Sequence, residues 1–416
     1  MEESTPLIAN DAVILGLLAL ILGLVFWTSE SKAPGWRRFY SVVPAILLCY
    51  FIPSLLTTFG VVDPEKSQLY FVASRFLLPA ALIILTAVAD LPATMRLGPK
   101  ALIMFFTGTI GVMLGGPIAL LIAKLVAPDL VVGDGPDAVW RGMATTAGSW
   151  IGGSANQTAL REIYEVGPNA FSIWVAVDVI VANIWMAILL TFAAKREAMD
   201  RWLKADGSAV DEVRRKAEAY EAANTRNPSL RDLMVILAFA FGATGAAHFA
   251  ADFLTPWFKE NLPGAAQFSL HSSFFWIVVV ATAIGVALSF TPVRKLQGAG
   301  ATKIGSVMIY FLIATVGLNM NIAALFATPA FFLIGALWIS FHAGLMILVA
   351  KLIRAPVFFL AVGSQANIGG AASAPVVAAA FHPSLAPVGV LLAVLGYIVG
   401  TFGGWFAGQI MRVIAG

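Results

Sequence analysis

Charge is what this chain most lacks. Asp, Glu, Lys and Arg make up only 12% of its 416 residues, about half the share found in ordinary globular domains. Cysteine is nearly absent too: Cys49 stands alone, which excludes an intrachain disulfide scaffold. The 26 basic and 23 acidic residues leave a net charge of +3, and they form no basic stripe of the kind that grips nucleic acid. There is no H-E-x-x-H metal motif and no phosphate loop. There is also no G-x-S-x-G nucleophile turn. Neither an enzyme nor a resident cofactor is indicated. The acidic start, Glu2-Glu3, does not read as a secretory signal.

Apolar residues fill that gap. They make up 59% of the chain, and the mean hydropathy is +0.87. Twelve apolar stretches fall near 7–27, 39–57, 69–90, 101–127, 142–165, 169–194, 231–251, 273–291, 304–327, 329–352, 357–381 and 385–411. A bilayer core needs about 20 such residues per helix. Continuous runs without strict alternation argue for helices over an outer-membrane barrel. The expected fold class is therefore an all-α polytopic membrane protein whose partner is the lipid bilayer.

Two stretches look unsuited to span. The fifth carries Gly148-Ser-Trp-Ile-Gly-Gly-Ser-Ala-Asn-Gln-Thr158, and the eleventh carries Gly363-Ser-Gln-Ala-Asn-Ile-Gly-Gly-Ala-Ala-Ser373. Each has a glycine pair where a helix is cheap to break. Unwound backbone at membrane depth survives only where protein or a water-filled cavity satisfies it. Charge sorting supports two re-entrant hairpins. If both stretches turn back, 19 of the 26 Lys and Arg residues share one face, as the positive-inside rule requires. Segment 195–231 contributes nine of them. About ten crossings follow, with both termini outside. Half of a hairpin reaches about 18 Å, so each glycine tip is expected near the midplane.

The chain divides into 1–194 with a hairpin near 142–165, a charged cytoplasmic linker at 195–230, and 231–416 with a hairpin near 357–381. The motif Ile151-Gly152-Gly153-x-Ala155 matches Ile368-Gly369-Gly370-x-Ala372, and Ala123-Lys124-Leu125 matches Ala350-Lys351-Leu352. Each half makes an odd number of crossings, so the second is expected to be inverted relative to the first. Inverted repeats with interrupted segments are the pattern of secondary transporters.

The hairpin tips are the leading candidate site. Unwound backbone offers N–H groups to anions and C=O groups to cations. Gly152, Gly153, Ser154, Asn156, Gln157, Gly369, Gly370 and Ser373 are candidates for solute binding. Asp178, Ser364, Gln365, Asn367, Asn319 and Asn321 are candidates for an ion. The competing explanation is that Gly and Ser merely allow close helix packing. Asp178 is the most pointed of these residues, because a mid-membrane carboxylate costs about 2.5–3.5 kcal/mol; it reads either as a cation or proton carrier or as a packing hydrogen-bonder. Asn183, five residues on, points to a different part of the helix surface. Arg75 reads as a snorkelling side chain, with anion binding as the alternative. Arg161 is a candidate carboxylate clamp, since a planar guanidinium suits bidentate recognition. His248 and His342 read as interior hydrogen-bonders.

The stretch Gly363-Ser-Gln-Ala-Asn-Ile-Gly-Gly-Ala-Ala-Ser-Ala-Pro375, with Leu391-Leu-Ala-Val-Leu-Gly-Tyr-Ile-Val-Gly-Thr401, resembles the family named domain of unknown function 819, as does Gly148-Ser-Trp-Ile-Gly-Gly-Ser-Ala-Asn156. That family is similar to sodium:glutamate symporters and 2-hydroxycarboxylate transporters. The resemblance implies a scaffold domain, a mobile transport domain and a homodimer, with both glycine pairs lining the substrate and ion site. Gly-Gly-Ser-Ala departs from the GGHG-like motif of the glutamate carriers, which counts against glutamate as the solute. The expected function is Na⁺-coupled (alternatively H⁺-coupled) transport, at the plasma (inner) membrane, of a small organic solute: an organic anion, amino acid or short peptide. An uncoupled channel or facilitator, and a sensor or scaffold acting through 195–230, are the alternatives.

Overall fold

The computed structural model describes residues 7–40, 43–89, 91–205, 210–215, 227–320 and 329–416. Among them the ordered elements are helical. The main helices are α1 (Asp11–Ser29), α2 (Pro34–Tyr40), α3 (Ala45–Thr58), α4 (Leu69–Ala87), α5 (Pro99–Val126), α6 (Val139–Gly152), α7 (Ser154–Ile163) and α8 (Pro168–Ala194). They continue as α9 (Arg196–Leu203), α10 (Leu230–Asn261), α11 (Ser273–Ser289), α12 (Ala301–Leu318), α13 (Ala330–Leu352), α14 (Val357–Ile368), α15 (Gly370–Phe381) and α16 (Ala386–Ala415). Helix starts follow local chemistry. The Asn10 side chain accepts from the Ala12 N–H, and Ser229 with Asp232 closes a capping box on α10.

Among the described residues, eight of the helices are long and apolar enough to cross a membrane, or up to ten if two bent pairs are each counted as one span. With α3 and α11 supplying those two, the count covers ten of the twelve stretches. The two remaining stretches are the ones carrying glycine pairs. Each is a pair of short helices, of 14 and 10 residues in the first and 12 and 12 in the second. A helix of 14 residues is about 21 Å long, short of a hydrocarbon core about 30 Å thick.

Both pairs fold back on themselves. At the open end of the first, the Trp140 ring lies edge-on to Tyr164 at 5.3 Å, Arg141 donates to the Tyr164 carbonyl, and Gly167 N–H donates to the Pro136 carbonyl. At the open end of the second, Phe358 meets Phe381 at 5.4 Å.

The two open ends lie at opposite ends of the molecule, with α5 as the ruler. Its 28 residues extend about 42 Å. At its start Lys100 donates to the Arg354 carbonyl, beside the second hairpin. At its end Lys124 donates to the Ile414 carbonyl, and nearby Arg412 pairs with Asp134 in the loop ahead of the first hairpin. Lys100, Lys351 and Arg354 stand at the second hairpin's end. Lys351 stacks over Trp202 of α9, and Asp200 accepts from the Val357 N–H at 2.7 Å, so α9 sits at the second hairpin's mouth. Asp134 and Asp137 mark the other end.

The helices pack as two groups. The first holds α1, α3, α4, α10, α11 and α12; the second holds α5, α8, α13, α16 and both hairpins. Glycines set the close approaches in the second group. A β-carbon on Gly115 would lie 2.7 Å from Trp338, and one on Gly152 would lie 2.2 Å from the Gly396 carbonyl oxygen. Such small-residue faces let helix backbones touch where lipid offers no hydrophobic drive.

Candidate functional site

The two hairpin tips meet. Gly153 has φ +85° and Gly370 has φ +56°, and a β-carbon built on Gly370 would sit 3.9 Å from the Gly153 Cα. Left-handed backbone of this kind favours glycine, so each pair breaks its helix at the second glycine. The first glycines do other work: Gly152 packs on Gly396 of α16, and Gly369 lies under Ser373 and Gln365 of its own hairpin. Neither α7 nor α15 has a side-chain cap at its first turn, and these turns start at the junction.

A cavity of about 480 Å³ opens beside the tips, within the usual size range of small-molecule sites. It lies between the two helix groups. Tyr50, Thr302, Ser306 and Tyr310 face it from α3 and α12; Gly153, Ser154, Gln157, Gly369, Gly370 and Ser373 face it from the hairpins. From α8 come Asp178 and Asn183, and from α14 comes Gln365. Among the described residues, Asp178 is the one charged residue in this lining.

Asp178 sits near the middle of α8 and is buried. Its Oδ2 accepts from Ser149 Oγ (2.6 Å) and Gln157 Nε2 (3.1 Å), and its Oδ1 accepts from Trp150 Nε1 (2.7 Å). All three donors are neutral and all belong to the first hairpin. No Lys, Arg or His lies within 4.0 Å of it among the described residues. Three neutral hydrogen bonds lower the cost of a buried carboxylate but leave its charge uncompensated. Among the described residues, two buried polar atoms at the cavity have no hydrogen-bond partner, Tyr50 Oη and Gln365 Oε1, although Gln365 Nε2 donates to Ser373 Oγ at 2.7 Å.

The other residues singled out from sequence are placed elsewhere. Asn156 donates to the Gly152 carbonyl and accepts from Thr401 at 2.6 Å. Asn367 donates to the Phe105 and Gly363 carbonyls and accepts from Thr109. Ser364 lies between Trp185 Nε1 and His342 Nε2, both at 2.8 Å. These three polar side chains tie the hairpins to their neighbours and do not line the cavity. His342 Nδ1 faces the Gly108 carbonyl at 3.1 Å. A carbonyl can only accept, so Nδ1 carries the proton and Nε2 accepts from Ser364. Asn319 ends α12 and bonds to the Thr315 carbonyl away from the cavity; Asn321 lies outside the described residues. Arg161 lines a second cavity, at the mouth of the first hairpin.

Sequence reading missed Trp150 and the three tyrosines Tyr50, Tyr310 and Tyr397 that line the main cavity. It also set Asn183 apart from Asp178, yet both reach the same cavity because the cavity extends along α8. Aromatic residues inside apolar runs carry no local mark that separates a lining position from a packing one.

A chain of this kind, with eight to ten helices or bent helix pairs among the described residues suited to crossing a membrane and a cavity among them, is a polytopic membrane protein. It belongs to the DUF819 family of proteins of unknown function, whose sequence model matches residues 16–414. It is 22% identical over 417 residues to the uncharacterized membrane protein YjcL of Bacillus subtilis (strain 168), covering 97% of this chain and 98% of that protein.

Proposed function

We propose that this protein is a cation-coupled secondary transporter that moves a small organic solute by alternating access, with Na⁺ favoured over H⁺ as the coupling ion. The observation that carries this reading is the contact of the Gly153 and Gly370 tips beside a cavity whose one charged lining residue, among the described residues, is Asp178. In a membrane the helical pairs are re-entrant hairpins belonging to two inverted repeats. They enter from opposite faces, so the cavity lies near the midplane, where coupled transporters bind their cargo. A cation compensates Asp178, and the solute occupies the remaining volume between the helix groups. The group bearing the hairpins then moves against the α3, α4 and α12 group to expose the cavity on alternate sides.

The basic end, with Lys100, Lys351 and α9, faces the cytoplasm by the positive-inside rule. This places both termini outside, in a plasma (inner) membrane. A homodimer is the expected assembly.

Proteoliposomes with an imposed Na⁺ or H⁺ gradient, challenged with pooled organic anions, amino acids and short peptides, test the reading. Gradient-dependent uptake is expected. Solute flux indifferent to both gradients would assign the protein to the facilitators instead.

A further inference from the structure

The second cavity, about 690 Å³, lies at the mouth of the first hairpin, away from the Gly153–Gly370 junction. Arg75 of α4, Arg161 and Glu162 of α7, His248 of α10 and His271 ahead of α11 line it. Glu162 is already engaged: it pairs with Arg75 Nη2 at 3.0 Å and accepts from Tyr70 Oη. Arg75 sits on a π-helical turn, Ala73–Leu77, a feature that often marks functional positions. His248 Nε2 bonds to the Arg75 carbonyl at 2.9 Å and must therefore be the donor.

Arg161 is different. It is 8% exposed, it forms no ion pair among the described residues, and its Nη1 has no hydrogen-bond partner. Its guanidinium lies over the Tyr70 and Phe171 rings at 4.9 and 4.8 Å. Cation–π contact offsets part of the cost of burying it but supplies no acceptor for its in-plane N–H donors. Among the described residues, the only other acidic residue in the lining, Glu165, is solvent-exposed. A buried guanidinium in cation–π contact with two rings, with Nη1 unpaired, has the form of a fork waiting for a planar oxyanion. Glu162 on Arg75 shows that a carboxylate fits in the same chamber.

We propose that this cavity is a binding site for a small carboxylate, with Arg161 as its principal ligand, the Tyr70 and Phe171 rings holding the guanidinium plane, and Arg75 as a second cation at its wall. The site is separate from the tip cavity and needs no ion gradient to fill.

Full-length protein in lipid nanodiscs is titrated with succinate and acetate, with inorganic phosphate and methylammonium as comparison probes, by calorimetry and thermal shift. Succinate is expected to bind saturably and raise the melting temperature. Arg161→Gln is expected to weaken it about tenfold or more, as loss of a charge-assisted bond does. Arg161→Lys, which keeps the charge and tests the point even if the Gln variant fails to fold, is expected to bind more weakly than wild type because the planar fork is gone. Equal succinate affinity in wild type and either variant overturns the proposal. So does a wild-type protein that shows no succinate or acetate binding up to about 50 mM, well past the millimolar range of weak sites. Phosphate binding as tightly as succinate would overturn the carboxylate assignment. Because binding is read without a gradient, these results stand whether or not the protein transports.

Discussion

Asp178 and Asp200 show how much one carboxylate's surroundings decide. Asp178 is held by Ser149, Trp150 and Gln157 with no countercharge, so replacing it with Asn keeps a similar shape while removing the charge that attracts a cation. Asp178→Asn is expected to weaken the cation dependence of uptake about ten- to a hundredfold, the worth of a bond to a charged group. Uptake assayed against cation concentration checks this, and an unchanged cation dependence would reduce Asp178 to a packing residue. Asp200 lies outside the spans and accepts from the Val357 N–H. Partial burial pushes its carboxyl above the ordinary range, against the smaller opposite pulls of that N–H and of Arg196. A raised value in the folded protein means that this group's stabilisation is complete below the ordinary carboxylate value and is lost as pH rises through the folded one. The melting temperature of wild type relative to Asp200→Asn is therefore expected to fall as pH rises above the ordinary carboxylate value of about 4, with no such trend if the carboxyl is unperturbed.

At the scale of the element, the hairpins depend on a division of labour within each glycine pair. Gly153 and Gly370 turn the backbone, whereas Gly152 lets α6 lie against α16. A methyl group on Gly152 would overlap both the Gly396 carbonyl and the Asn156 side chain, each 2.2 Å away. Gly152→Ala is expected to destabilise the protein by about 1–3 kcal/mol, the usual cost of overpacking, and to lower its melting temperature in detergent. Ala at Gly135, where nothing lies within 4 Å, is the matched control. The hairpins' polar side chains follow the same logic. Asn156, Asn367 and Ser364 satisfy carbonyls and hydroxyls on neighbouring helices, which hydrocarbon surroundings would otherwise leave expensive. Their polarity was visible in sequence as a candidate site; their use as fasteners depends on Thr401, Thr109 and His342, far away in the chain.

For the whole molecule, the decisive quantity is sidedness. Lys100 and Lys124 mark opposite ends of α5, and each stands beside a different hairpin's mouth. Cys49 is buried, so single cysteines introduced elsewhere can be read with a membrane-impermeant maleimide. A cysteine at Gly135 is expected to label in intact cells, and one at Lys204 only after permeabilisation. Labelling of both from the same side would undo the opposed-hairpin arrangement.

Much of this architecture was legible beforehand. Hydropathy depends on composition within about 20 residues, so the helical class, the eight to ten stretches suited to span and the two glycine-broken pairs could be read along the chain. Glycine pairs break helices through their own backbone freedom, and basic residues sort by face. These are local effects. Which glycine forms the tip, which tyrosines line the cavity, and why Arg161 stands unpaired while Arg75 does not were decided only by the tertiary structure, because each depends on atoms brought together from helices scores of residues apart.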